Sequence, residues 1–441
     1  MSRFRIQSSL LVLLLAGCAK DPAPAPHAAV SASILPPGES QALCLASVQG
    51  ETAVDLDLKR AQARARSLPS RADSWVASGR GWVRKARWSA DPGFYVNVEG
   101  CAAKALRADP GYVPALELRS LVLMNNHQFE SARALAEQIL KRSPDSVVGN
   151  GTLSDASLEL GQYQQAAQSA QAQMNAQPGM AAFSRAAYLN WLKGDTRSAK
   201  LFIRDALLDR NAADPEAAAW TFVEAGMMYW QQGDYQGADA IFSEALRWVP
   251  NYPSALVGRG RVALAKGDAI AAITDFATAQ RLHPLVETVW LLGDAYALAH
   301  DTEHAQQAYA EAERLGRRGD RFTWALFLAS KNRNAEMAVH LLEAERSTRG
   351  GIYVDDAYAW ALYRAGRFDE ARRASAQALR LGTRDARLFF HAGAIALATG
   401  DPAEGRKLIE EALALNPGFD MSGAAEARAL LASAAQPLAR R

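Results

Sequence analysis

From about Ser74 onward the chain repeats one arrangement of small, large and helix-breaking residues. A Gly or short polar residue stands five positions before a small residue. An apolar side chain follows four later, a second Ala three after that, and often a Pro five further on. Gly233, Ala238, Phe242, Ala245 and Pro250 show the whole frame. Gly161, Tyr163, Ala166, Ala170 and Pro178 repeat it, as do Gly267, Ala272, Phe276, Ala279 and Pro284, and near the end Gly400, Gly405, Ile409, Ala412 and Pro417. Apolar positions three and four apart define one face of a helix. Gly and Pro mark the places where helices end. The pattern therefore predicts pairs of short helices, each pair joined by a Gly-led turn. Abundant Ala, Leu, Arg, Gln and Glu, with few β-branched residues, favour helix throughout.

The small residues that anchor the second helices are Ala132, Ala166, Ala199, Ala238, Ala272, Ala305, Ala338, Ala371 and Gly405, spaced by 34, 33, 39, 34, 33, 33, 33 and 34 residues. Small residues are expected where two helices cross, as at Gly226, Gly260 and Gly293. Large ones such as Phe222, Tyr229 and Phe242 fill the gaps between pairs. One pair cannot bury its own apolar face, so the stack is the stable entity. Three departures stand out. The spacing of 39 places a loop insertion at 211–216. A divergent first unit carries Trp75, Gly79 and Trp82 in one helix and Ala102, Ala105 and Pro110 in the next, with an insertion around Trp88, Pro92 and Tyr95. The eighth unit, Phe322–Glu345, lacks the turn Gly and the closing Pro, and its predecessor also lacks the Pro; a change in curvature is expected there.

Period and residue types together, over 74–419, resemble the tetratricopeptide repeat, whose period is 34. The resemblance implies an all-α chain: a right-handed superhelical α-solenoid of about ten helix-turn-helix units. An N-terminal helical segment (41–73) would precede it, and a capping helix and tail (420–441) would follow. It also implies that first helices line a concave groove. The inward positions then include Tyr188, Trp191, Met227, Trp230, Arg261, Trp290, Phe327, Trp360 and Tyr363, with Trp220 just before the frame. Tyr and Trp suit binding surfaces because they offer large area with a polar handle. Exposed, they would hold an extended peptide, a partner helix or a glycan. The alternative is that they pack as core between helices, which would favour a structural spacer. The carboxylate clamp known in this family needs Lys, Asn and Arg inward, whereas Glu117, Leu121, Val223 and Met227 stand at such positions here.

The N-terminus has its own pattern. Arg3 and Arg5 precede an apolar run from Leu10 to Leu15 that is short for a membrane span. Leu15-Ala16-Gly17-Cys18 resembles the bacterial lipoprotein signal. The resemblance implies a signal peptide (1–17) that is removed and a lipid on Cys18. Ala19 rather than Asp after that Cys points to the outer membrane, facing the periplasm. A Pro/Ala-rich tether (18–40) follows, in which Pro22, Pro24, Pro26, Pro36 and Pro37 oppose helix. An oxidising compartment permits a disulfide between Cys44 and Cys101, which would staple the N-terminal segment to the array. Two buried free thiols are the alternative.

Charge and chemistry narrow the function. Of 441 residues 49% are hydrophobic, and the formal net charge is +2; loss of Arg3 and Arg5 with the signal leaves a near-neutral chain. No basic face argues for nucleic acid. The glycine-rich Ser78–Gly81 and Gly258–Gly260 stretches lie within predicted helices, so they are not phosphate loops. His300 and His304 straddle a turn and read as solvated residues rather than a metal site. No motif points to a cofactor. The expectation is a non-catalytic cell-envelope scaffold or adaptor lipoprotein, binding protein or peptide partners of secretion, pilus, exopolysaccharide or cell-wall assembly. A glycan-binding or glycan-processing module is the alternative. Its inward acids would be Asp294 and Asp356, which are two units apart, and that spacing argues against catalysis.

Overall fold

The computed structural model describes residues 35–89 and 91–434. The expected signal peptide, Cys18 and most of the tether lie outside the described residues. Among the described residues every regular element is helical. Two helices, α1 (Pro37–Cys44) and α2 (Ala53–Ser67), precede ten helix pairs. The pairs are α3 (Ala72–Ser89) with α4 (Tyr95–Ala108), α5 (Val113–Asn125) with α6 (Phe129–Arg142), α7 (Val147–Glu159) with α8 (Tyr163–Ala176), α9 (Met180–Leu192) with α10 (Thr196–Leu208), and α11 (Pro215–Gln231) with α12 (Tyr235–Trp248). They continue with α13 (Pro253–Lys266) and α14 (Ala269–Leu282), α15 (Val286–Leu298) and α16 (Thr302–Gly316), α17 (Arg321–Ser330) and α18 (Ala335–Arg346), α19 (Ile352–Arg364) and α20 (Phe368–Ala378), and α21 (Ala386–Ala398) and α22 (Pro402–Leu415); α23 (Met421–Ala434) closes the array.

Local chemistry explains the turns. Gly194, Gly233, Gly267 and Gly400 adopt left-handed backbone conformations, φ 73–86°. The Asp that follows each of them caps the next helix by accepting a backbone N–H three residues on, which satisfies an otherwise orphaned donor. Where Gly is missing, His127, His300 and Asn332 hold the same left-handed seat. In the eighth unit Asn334 then supplies the cap. Packing explains the frame. The anchor residues are buried: seven of the eight alanines among them have no exposed surface, and Ala305 has 3%. A Cβ added to Gly226, Gly260 or Gly293 would lie 2.5, 2.6 or 2.5 Å from the ring of Phe242, Phe276 or Tyr309, so each crossing glycine makes room for an aromatic ring of the paired helix.

Three sequence expectations change. Pro37 does not exclude helix: it stands in the first turn of α1, where its missing N–H costs no hydrogen bond. The insertion at 211–216 is only partly loop; it also lengthens α11 to 17 residues. The insertion after Trp88 belongs with an α3 of 18 residues and a short 3-10 turn, Pro92–Phe94. Other first helices have 10–14 residues. Cys44 and Cys101 are bonded, with Cα atoms 4.7 Å apart, in a cluster with Leu58, Trp75 and Trp82.

The array curves until it meets itself. The turns of the third, fourth and fifth pairs touch the links that follow α18, α20 and α22. At the first contact Gly350 N donates to Glu159 O (2.8 Å), Ile352 N donates to the Tyr163 hydroxyl (2.8 Å), and Arg349 pairs with Glu159 (2.6 Å). At the second, the Thr383 hydroxyl donates to Leu192 O. At the third, Asn416 Nδ2 donates to Trp230 O and Gly418 N to the Tyr235 hydroxyl, both at 2.8 Å. The irregular eighth unit thus has a reason. Gly350 and Gly351 follow it in place of a closing Pro, and a Cβ on Gly350 would lie 2.6 Å from Leu160 O.

Candidate functional site

Self-contact turns the concave groove into a lumen. Its central cavity, about 360 Å³, is lined from successive first helices by Tyr188, Met227, Trp230, Arg261, Trp290 and Trp360. A second cavity, about 710 Å³, shares Leu158, Glu159 and Tyr188 with the first. A third, about 170 Å³, shares Trp230, Arg261 and Asp420 with it and is bounded by α23. The second and third cavities are therefore neighbours of the central one, each divided from it by a shared wall.

The aromatic residues divide into two groups. Trp230, Trp290 and Trp360 border the lumen but are only 7%, 7% and 1% exposed. Trp360 is covered: His391 stacks on it at 4.1 Å and Tyr363 at 4.9 Å, and the Arg364 guanidinium lies 4.3 Å from its centroid. Tyr363 therefore buttresses Trp360 rather than facing a ligand. Trp191 and Phe327 are not groove residues. Trp191 (2% exposed) packs among Ala199, Ile203 and Met228. Phe327 (0%) lies against Trp290 and Tyr309 at 5.6 and 6.0 Å. Both reach sideways into the gap between neighbouring pairs, where a void would forfeit dispersion contacts. Trp220, by contrast, is 45% exposed and lines the 710 Å³ cavity.

Charged groups in the lumen are mostly matched. Arg261 pairs with Glu287 at 2.5 Å and Arg364 with Glu426 of α23 at 2.5 Å. Asp294 accepts from the Tyr309 hydroxyl (2.6 Å) and pairs with Lys331 (2.5 Å). His391 Nδ1 sits 3.0 Å from both oxygens of Asp356. Arg387 has Asp356 no nearer than 3.8 Å. Among the described residues Glu224 has no hydrogen-bond or ion-pair partner, and burial pushes its carboxyl up to about 7. Sequence reasoning missed Glu224, Glu159 and Arg349. Glu224 directly follows the inward position Val223, so a neighbour of a frame position was a usable signal. Arg349 lies in a link, and nothing in the repeat marks it. Among the described residues no three His, Cys, Asp or Glu side chains group as metal ligands, and His304 instead holds Asp301 at 2.7 Å.

Ten stacked helix pairs with small residues at their crossings define an α-solenoid of tetratricopeptide type. A tetratricopeptide repeat model matches residues 118–181, 223–287 and 357–420. Among solved structures the chain is similar to PilW, a type IV pilus biogenesis factor (16% identity, 47% of this chain and 95% of that one, TM-score 0.40), and to pilF of Pseudomonas aeruginosa (14%, 49% and 96%, 0.40). It is also similar to human IFIT1 bound to m7Gppp-AAAA (14%, 86% and 94%, 0.48). At these identities the likeness is one of fold. No curated protein matches the chain.

Proposed function

We propose that this protein is a non-catalytic scaffold lipoprotein of the bacterial cell envelope, which holds extended segments of protein partners in its lumen. The lumen itself carries the reading: the central cavity and its neighbour are lined by inward side chains of several first helices, so one extended segment lying along them would touch several units and weak contacts would add. Glycan cleavage is disfavoured, because the two inward acids that would have served it are already held, Asp294 by Lys331 and Asp356 by His391. The anchor rests on Leu15-Ala16-Gly17-Cys18, and the Pro/Ala-rich stretch after it suits a spacer.

A photo-crosslinking residue placed at Met227, inside the lumen, and at Ile270, 79% exposed on α14, tests the holding role in living cells. Discrete protein adducts are expected from Met227 and not from Ile270; equal yields from both would sink the lumen model. For the anchor, Cys18→Ser should leave an unlipidated precursor, and mature protein that still fractionates with membranes would contradict the lipoprotein assignment.

A further inference from the structure

Two departures from the repeat period meet at one place in the fold. The lengthened α11 carries Glu216 and Trp220, and the lengthened α3 carries Arg87 and Trp88. Trp88 packs against the cluster that contains Phe222. Burial raises the Glu216 carboxyl; a hydrogen bond from Tyr252 and the positive charge of Arg87 act against that rise. The two extensions therefore face each other across the superhelix, although their sequences lie far apart. Between them, with α7 and α9 as the remaining walls, is the 710 Å³ cavity. Insertions in repeat arrays map to one face, often the binding face.

The charges of that cavity do not balance locally. Its carboxylates are Asp155, Glu159, Glu216 and Glu224. Arg185 holds Asp155 at 2.6 and 2.8 Å. Arg349 holds Glu159 at 2.6 Å. Glu216 accepts from the Tyr252 hydroxyl at 2.8 Å, with Arg87 acting on it. Glu224 alone has no cation beside it among the described residues. Glu224 is partly buried, and a carboxylate drawn toward the interior without a partner is costly. Trp220 stands one helical turn before it, on the same face of α11. Tyr188 is close enough that Glu224, after burial, contributes to raising its phenol. Ser184, 7% exposed in the same wall, has a hydroxyl without a hydrogen-bond partner. One unmatched carboxylate flanked by two aromatic rings and a free hydroxyl is a site for an alkylammonium or guanidinium group.

We infer that this cavity receives a lysine or arginine side chain of an extended peptide, with Glu224 as its counter-charge and Trp220 and Tyr188 as its aromatic walls. A peptide suits the site better than a small free cation, because the cavity lies beside the central lumen, with Leu158, Glu159 and Tyr188 lining both, so one extended segment could place side chains in each. The inference rests on the scaffold reading and narrows the held segment to a basic one.

The test is fluorescence anisotropy with the full mature chain at pH 8. The probes are fluorescein-labelled peptides of about twelve residues, alternating serine with lysine, glutamine or glutamate, a length that spans several units when extended. The lysine peptide should bind best. Glu224→Gln should weaken it at least about thirtyfold, as loss of an enclosed charge partner does, and Trp220→Ala by about fivefold. Trp220 is nearly half exposed and Glu224→Gln removes an unmatched charge, so both variants should keep their helical circular dichroism. Lysine-peptide binding unchanged by both substitutions would overturn the site. Equal or tighter binding of the glutamine or glutamate peptide would overturn its charge preference and leave the scaffold reading standing. Failure of all three peptides to bind would overturn both.

Discussion

The self-contact of the solenoid can be broken at one atom. Gly350 has no left-handed backbone requirement, yet a Cβ there would lie 2.6 Å from Leu160 O and 2.8 Å from its carbonyl carbon. Real Cβ atoms do not approach backbone so closely, so Gly350→Ala must push the link after α18 away from the turn after α7. Three interactions depend on that approach: Gly350 N to Glu159 O at 2.8 Å, Ile352 N to the Tyr163 hydroxyl at 2.8 Å, and Arg349 to Glu159 at 2.6 Å. Each hydrogen bond contributes about 1 kcal/mol. The partly exposed ion pair contributes roughly 0–1 kcal/mol. The expected loss is therefore about 2–3 kcal/mol. Gly319→Ala is the control, since its nearest neighbour would be 3.6 Å away. A second pair separates contact from backbone strain. Gly194 and Gly366 both have φ of 75°, so alanine costs each about 1–2 kcal/mol. Only at Gly194 would the Cβ meet the far side of the seam, 2.4 Å from Gly382 O, whereas Gly366 has open space. Urea unfolding followed by far-UV circular dichroism measures the differences. Because the seam ties distant units, its loss should also broaden the transition toward the neighbour-by-neighbour melting of an open array. Equal midpoints and slopes within each pair would refute the closed lumen.

Other substitutions follow from burial and charge. Reduction of the Cys44–Cys101 bond, which spans 57 residues, should cost about 2–5 kcal/mol; an unchanged melting temperature with and without reductant would contradict that. Phe242→Ala empties the space beside both Gly226 and Gly258 and should cost about 3–5 kcal/mol by chemical denaturation. Glu224 has its carboxyl raised by burial from an ordinary 4.5 to about 7. The native state thus keeps a proton that the unfolded chain loses between those values. Stability from this group is full below pH 4.5 and declines by about 3 kcal/mol as pH rises to 7. Glu224→Gln should flatten that decline in urea midpoints measured from pH 5 to 7.5, and an unaltered slope would count against an enclosed Glu224. Trp360→Ala should destabilise strongly, by about 3–5 kcal/mol, while Trp220→Ala should change stability by less than about 1 kcal/mol; similar effects would mean that their burial is misassigned.

The repeat period, the crossing glycines, the anchor alanines and the Gly-led turns are local properties, and the sequence alone determined them. Each depends on residues within one pair or between neighbours, at separations the 34-residue frame makes visible. That is why helix pairs and their stacking were legible before any coordinates. The orientation of individual aromatics was less so. A helix face is broad, and whether Trp191 fills an inter-pair gap or Trp220 faces a cavity depends on how far each helix rotates and extends. Closure was not legible at all. Glu159 meets Gly350, Leu192 meets Thr383 and Trp230 meets Asn416 only because small angles between successive pairs accumulate over the array. The two period-breaking insertions, separate in the sequence, come together for the same reason. Tertiary structure alone decided that the groove is a lumen, and that Glu224 stands in the cavity beside it without a partner among the described residues.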